Sequence, residues 1–261
     1  MNKILCISPL YNKLQFLPYT IASILNQKGV ELNLVIIDDC STDGSYEWVM
    51  ENLSEYPNVH IIRNNENKGC YQSRNAGLKY AIDNGIEFDY YTVTDPDDQQ
   101  FEDRFSTILK DIEHQPDIFF LKQAFIKVHL NGTVIEKNTE AGEGCAVIKK
   151  DVFDLIGYWD NTLRFGGDTE YMHRLGNHLY KNGQSNIGDY IRNNNTPLMY
   201  ALTDDTKQNL TLLHPIDSPE RIAVLDYIKG FTIHCKLEDC YYDYENQGHD
   251  YPSVRFTPQR N

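Results

Sequence analysis

The feature that most restricts the fold is an alternation in the first hundred residues. Lys3 to Ser8 is a short apolar run ending at Pro9, and Leu32 to Ile37 and Val59 to Ile62 are two more. Their length and bounding turn residues predict buried strands. Between the first two, Leu14, Leu17, Ile21, Ile24 and Leu25 recur at helical spacing, and Gly29 closes that helix. The Ser41-Thr42-Asp43-Gly44-Ser45 turn predicts a capped helix through Leu53, and Asn67-Lys68-Gly69 opens another to about Asn84. Strand and helix in turn, with short connections, form a parallel doubly wound sheet.

A fourth strand, beginning at Asp89-Tyr90-Tyr91, ends in Asp95-Pro96-Asp97-Asp98. Asp-Pro stops a strand, so three carboxylates are expected on the turn that leaves it. Like charges this close repel unless solvent or a hard cation screens them, and oxygen ligands suit Mg2+ or Mn2+. An acidic turn in plain solvent is the competing reading. The other strands also end in polar residues: Tyr11-Asn12, Asp38-Asp39 and Asn64-Asn65. Open α/β sheets bind ligands at that edge.

The second half is less regular. Ile118 to His129 and Thr133 to Glu136 flank Asn131-Gly132, which predicts a hairpin with a type I′ turn. Gly144 to Ile148 reads as a short strand, Asp151 to Ile156 as a brief helix, and Thr169 to Tyr180 as a longer one. Asn193 to Pro197 reads as a loop, and Ser218-Pro219-Glu220 as a helix start. The tail from Cys240 is polar and Tyr-rich.

With 38 acidic against 24 basic residues, the net charge of −14 argues against nucleic-acid binding. No run approaches the roughly 20 apolar residues of a membrane span, and the N-terminal apolar run is too short for a signal peptide. Six scattered cysteines form no common zinc pattern, so free thiols and a cytoplasmic setting are expected. The P-loop pattern is absent, as is a Gly-rich dinucleotide fingerprint after the first strand.

Four motifs occur in order: Ser8-Pro9-Leu10-Tyr11-Asn12; Ile36 to Ser45 with its Asp38-Asp39; Asn67-x-Gly69 followed by Ser73-Arg74-Asn75-Ala76-Gly77; and Asp95-Pro96-Asp97-Asp98. Together they resemble the nucleotide-sugar-binding half of GT-A glycosyltransferases of family 2, closely over residues 3 to 105. The likeness continues more loosely through Gly142 to Leu179, and Gly167 to Tyr180 is similar to spore-coat polysaccharide transferases.

The resemblance implies an α/β GT-A, Rossmann-like single domain: a mostly parallel sheet, flanking helices and a smaller acceptor-side β region. Residues 1–105 would bind the nucleotide sugar, 106–240 would form the acceptor and catalytic half, and 241–261 a polar tail. It also implies roles. Tyr11 would stack on the uracil ring, beside Pro9, and Asp39 would accept the base N3–H. Asn67 and Arg74 would line the donor site, with Arg74 neutralising a phosphate or bracing the acids. Asp95 would hold the ribose, and Asp97, helped by Asp98, the Mn2+ or Mg2+ on the diphosphate. Asp168 would be the catalytic base, with Glu170 as its competitor. A third metal ligand, His173 or His214, is left open.

Each residue also has a plainer reading. Tyr11 could edge the core, Asp38 and Asp39 could cap Ser41 to Ser45, Arg74 could form a surface ion pair, and Asp168 could be an ordinary N-cap. Two departures stand out. Pro9 replaces a small hydroxyl residue, and Gly167 replaces the Glu before the acceptor-side Asp. No Gln-x-x-Arg-Trp motif of processive synthases is present. The expectation is a non-processive, inverting, metal-dependent transferase using a UDP-sugar and a carbohydrate or other hydroxyl acceptor. The alternatives are a catalytically inactive sugar- or nucleotide-binding domain on the same fold and, last, a nucleotidyltransferase.

Overall fold

A computed structural model describes residues 1–115, 117–183 and 187–203, apart from the side chains of 137–144 and 187. The helix expected at Ser218, Cys235, Cys240, His214 and the polar tail lie outside the described residues.

The first half alternates as expected: β1 (Lys3–Leu10), α1 (Leu17–Leu25), β2 (Glu31–Asp38), α2 (Ser45–Leu53), β3 (Val59–Arg63), α3 (Cys70–Asp83) and β4 (Tyr90–Val93). The second half adds β5 (Asp98–Gln100), α4 (Arg104–Lys110), β6 (Phe120–His129), β7 (Val134–Lys149), α5 (Lys150–Ile156), α6 (Gly167–Lys181) and β8 (Ile191–Thr203). One sheet runs through both halves in the order β3-β2-β1-β4-β7-β6-β8-β5. The expected division at residue 105 falls inside α4. β1 pairs in parallel with β2 and β4, and β2 with β3. β7 joins antiparallel to β4 and β6, and β6 pairs in parallel with β8. The sheet thus grows in opposite directions from β1, which leaves a crevice at the carboxyl ends of β1 and β4.

Side-chain alternation builds three layers. Leu5, Ile7, Val35 and Ile37 face α3, α5 and α6, whose Leu78, Val152, Tyr171 and Leu175 complete that side of the core. Ile4, Cys6, Leu34 and Ile36 face α1, α2 and α4 through Leu17, Ile21, Val49, Phe105 and Ile108. Strands covered on both faces become continuous apolar runs, which is why β1 and β2 are legible in the sequence. α3 lies so close to β1 and β2 that a Cβ on Gly77 would stand 2.6 Å from Ile37 Cδ1 and 2.9 Å from Ile7 Cγ2.

Several local expectations are corrected. α1 starts at Leu17, not Leu14, because residues 12–14 are tied by backbone N–H groups to Ser41, Ser45 and Asp43. Pro9 lies within β1, opposite Ile37, rather than ending it. Gly144 to Ile148 is the end of the long β7. The hairpin turn is not type I′. Gly132 N donates to His129 O, and Gly132 has φ +86° whereas Asn131 has no positive φ. That is a three-residue loop closed by a left-handed glycine. The Asn-rich stretch 193–197 runs inside β8 instead of forming a loop. Its register against β6 jumps from Asn194 to Pro197, and Asn194 Oδ1 accepts from Thr196 N. The loop signal marks a bulge, where a strand tolerates proline.

Candidate donor and acceptor site

The loops at the carboxyl edge are knitted to one another. Asn12 (φ +50°) and Cys40 (φ +66°) adopt left-handed conformations that L-residues seldom take. Asn12 N donates to Ser41 Oγ, and Asn12 Oδ1 accepts from Thr42 N. These bonds hold the loop after β1 against the loop after β2, leaving Tyr11 46 % exposed at its start. Tyr11 therefore does not edge the core, and its ring is open to a stacking partner.

The two carboxylates after β2 divide their work. Asp38 is fully buried, accepts from Ser41 N and pairs with Arg63 Nε at 3.0 Å. Burial raises its pKa, opposed by the Ser41 bonds and Arg63. Asp38 thus holds the Ser41 loop, as its plainer reading expected. Asp39 does not cap that loop. Its Oδ1 accepts from Asn64 Nδ2 (2.8 Å) and Lys68 N (2.9 Å), and its Oδ2 from Gly69 N (2.8 Å). A carboxylate offers about four acceptor positions, so Oδ2 keeps one for a ligand N–H. The exposed Asn67 donates to the Asp39 backbone carbonyl at 3.4 Å. Asp39 and Asn67 therefore shape the approach to α3.

Arg74 lies one turn into α3 and is 4 % exposed, so it is no surface ion pair. Its guanidinium donates to Asp168 Oδ1 at 2.5 Å and stands 3.7 Å from Asp95 Oδ1. Burial opposes its charge, but Asp168 and the other neighbours outweigh that and hold Arg74 above its usual range. Asp168 is the second residue of α6. The N-cap is Gly166 (φ +77°), with no side-chain cap bond, so the capping reading of Asp168 is corrected. Asp168 Oδ2 faces the Tyr71 hydroxyl at 3.5 Å, and that hydroxyl accepts from Gly167 N at 2.9 Å. A Cβ on Gly167 would come within 2.6 Å of the Tyr71 ring. The Tyr71 phenol therefore fills the space that a side chain at residue 167 would need.

Glu170, the competing base in the sequence reading, lies in a buried ion pair. Arg174 grips both its oxygens at 2.7 and 2.9 Å, with Arg174 and Glu170 side chains 0 % and 5 % exposed. Arg174 also donates to the Ile156 and Tyr158 carbonyls.

The acidic turn is screened from within. Asp97 Oδ2 receives Lys13 Nζ at 2.7 Å. Asp98 opens β5 opposite Ala201, and burial, then Asp95 and Asp97, raise its pKa well above normal while Arg104 opposes them. Asp95 keeps 53 % of its side-chain surface open. The protein mass around it still pushes it up to about 6; Asp97 and Asp168 add to the shift and Arg74 opposes it. Sequence reasoning missed Lys13, Tyr71 and Arg104. A lysine on a polar loop, a tyrosine at helical spacing and an arginine at an uncapped helix start carry no local signal.

The residues present fit a divalent cation held with a ligand's help. Among the described residues no three His, Cys, Asp or Glu side chains could hold a metal ion together, so His173 completes no such set. Small hard cations need only one or two carboxylates when substrate phosphates supply further oxygens. Asp97, partly open beside Lys13, offers one such carboxylate. Burial pushes the Cys6 and Cys145 thiols up to about 12 and Cys70 up to about 11, and among the described residues these and Cys40 form no disulfide.

Comparisons with known proteins agree with this fold. An uncharacterized glycosyltransferase of Haemophilus influenzae is 27 % identical over 186 residues, covering 65 % of this chain and 60 % of its own length. The minor teichoic acid biosynthesis protein GgaB of Bacillus subtilis is 36 % identical over 43 % of this chain and 12 % of its own. The chain thus spans less than two thirds of these relatives. Among solved structures, S. aureus TarS 1-349 in complex with UDP superposes with TM-score 0.59 at 18 % identity, over 91 % of this chain and 76 % of that one. The mannosyltransferase PcManGT from Pyrobaculum calidifontis, in complex with GDP-Man and Mn2+, gives 0.58 at 13 % identity, over 88 % and 69 %. Among the described residues no helix is long and apolar enough to cross a membrane. Residues 6–178, more than half of the chain, match the family described as glycosyl transferase family 2, and the chain belongs to that family.

Proposed function

We propose that the chain moves a sugar from a UDP-sugar to a hydroxyl of a carbohydrate or similar acceptor, by direct displacement with inversion. The observation that carries this reading is Arg74, which binds Asp168 and also reaches Asp95. It joins the acceptor-side carboxylate to the donor end of the sheet. Tyr11 stacks on the base, Asp39 Oδ2 accepts its N–H, and Asp95 holds the ribose. Asp97 would hold a divalent cation, which would supply positive charge for the negative charge gathering on the leaving group. Asp168 Oδ2, only loosely engaged by Tyr71, takes the proton of the attacking hydroxyl. Arg74 fixes the other oxygen and so orients the base. UDP- and GDP-sugar complexes among the structural neighbours support a nucleotide-sugar donor.

Asp168→Asn tests the base. Asn still accepts from Arg74, so UDP affinity by calorimetry should stay within about threefold, while transfer falls by ~10² or more. Some loss of melting temperature is expected, since Arg74 loses a charged partner. Near-normal transfer would refute the assignment of Asp168 as the base. Absence of transfer by the wild type with any nucleotide sugar would favour the second reading, a binding domain without chemistry, which the Gly167 departure supports.

A further inference from the structure

Resting on the metal-dependent reading above, we propose that Lys13 is the built-in counter-cation of Asp97. It holds that carboxylate while the donor site is empty and exchanges it for the donor's diphosphate when a divalent cation binds. Lys13 Nζ lies 2.7 Å from Asp97 Oδ2, and the two side chains are only 19 % and 21 % exposed. A pair so shielded is weakly screened by salt and is not an incidental surface contact.

The two ends of the pair are held differently. The Lys13 backbone is fixed through its N–H to Ser45 Oγ, and the Asp97 backbone carbonyl accepts from Leu202 N. The lysine side chain is a flexible stem whose ammonium lies over the Phe16 ring, 5.3 Å from its centroid. The ammonium can therefore move while its anchor stays. The other cations of the cluster cannot. Arg74 is locked to Asp168, and Arg104 donates to Gln123, Gln100 and the Cys145 carbonyl.

Charge balance favours an exchange. Four carboxylates, Asp95, Asp97, Asp98 and Asp168, face Lys13, Arg74 and Arg104. A divalent cation on Asp97 would stand against the ammonium and repel it, since both seek the same oxygen. A diphosphate brings the negative charge that makes room for both. Lysine serves phosphates as a mobile point charge, and its stem allows that role here. Free protein should then bind Mn2+ poorly, and UDP and Mn2+ should bind together.

The test is calorimetry of the full chain with Mn2+ alone, then with UDP at saturating Mn2+, on wild type and Lys13→Gln. The variant should bind Mn2+ alone ~tenfold more tightly, having lost its competitor, and bind UDP with Mn2+ ~tenfold less tightly, having lost a phosphate contact. A merely structural lysine would not move the two in opposite directions. Equal Mn2+ affinity in both proteins, with UDP binding still Mn2+-dependent, overturns the role of Lys13 and leaves the metal reading standing. UDP binding unaffected by EDTA, with no Mn2+ bound by either protein, overturns both. If Lys13→Gln does not fold, Lys13→Met keeps the stem and meets the same criteria.

Discussion

Glu170→Gln separates structure from chemistry at the site. Glu170 lies two residues from Asp168, and from sequence either could be the base. Its side chain is 5 % exposed and both oxygens are bound by Arg174, itself 0 % exposed. Gln keeps one acceptor but turns an N–H donor toward the guanidinium. Arg174 is left charged and buried without its carboxylate, while its bonds to the Ile156 and Tyr158 carbonyls, at 2.5 and 2.8 Å, remain. Breaking one side of a buried pair costs about 3–5 kcal/mol. For a chain near this size each kcal/mol shifts the melting temperature by about 2–4 °C, so a fall of roughly 6–20 °C is expected. Differential scanning calorimetry measures it. Sugar transfer per folded molecule, assayed well below the transition, should change less than about threefold, because both Glu170 oxygens are buried against Arg174. A melting shift under about 2 °C would refute the burial reasoning. A loss of transfer of ~10² with the melting temperature intact would make Glu170 the base.

Asp95 is held at about 6, above its ordinary value of 3.8, so its ionisation opposes folding above about pH 6 and not below about pH 4. Asp95→Asn should therefore melt higher than wild type in EDTA at about pH 7.5, with the gain gone by about pH 4; a gain that grows toward acid would contradict this. Gly77→Ala should cost about 1–3 kcal/mol in urea unfolding by overpacking Ile37 and Ile7, and an unchanged midpoint would mean that α3 can shift outward. Asp39→Ala strips acceptors from Asn64 Nδ2, Lys68 N and Gly69 N, each worth about 1–3 kcal/mol if left unmet. It should lower both stability and UDP affinity, whereas full stability in that variant would show that the loop does not depend on Asp39.

The sequence by itself determined the parallel half of the fold. Apolar runs buried on both faces, helical spacing between them and polar strand ends are local patterns, and β1 through β4 followed them. It also supplied the acids and Arg74, through motifs in a fixed order. Tertiary structure decided what those residues do. Asp39 turned from the Ser41 loop to the start of α3 because the unpaired N–H groups of residues 68 and 69 came within its reach. Asp168 and Glu170, indistinguishable in sequence, were separated by which arginine each met: Arg74 from α3, far along the chain, or Arg174 one turn away. The acidic turn met cations from other elements, Lys13 at Asp97 and Arg74 at Asp95, that no neighbouring residue in the sequence supplies. The Asn-rich segment became strand because the β6 backbone required a partner. Pairing across sequence-distant segments sets these outcomes, and no local pattern encodes it.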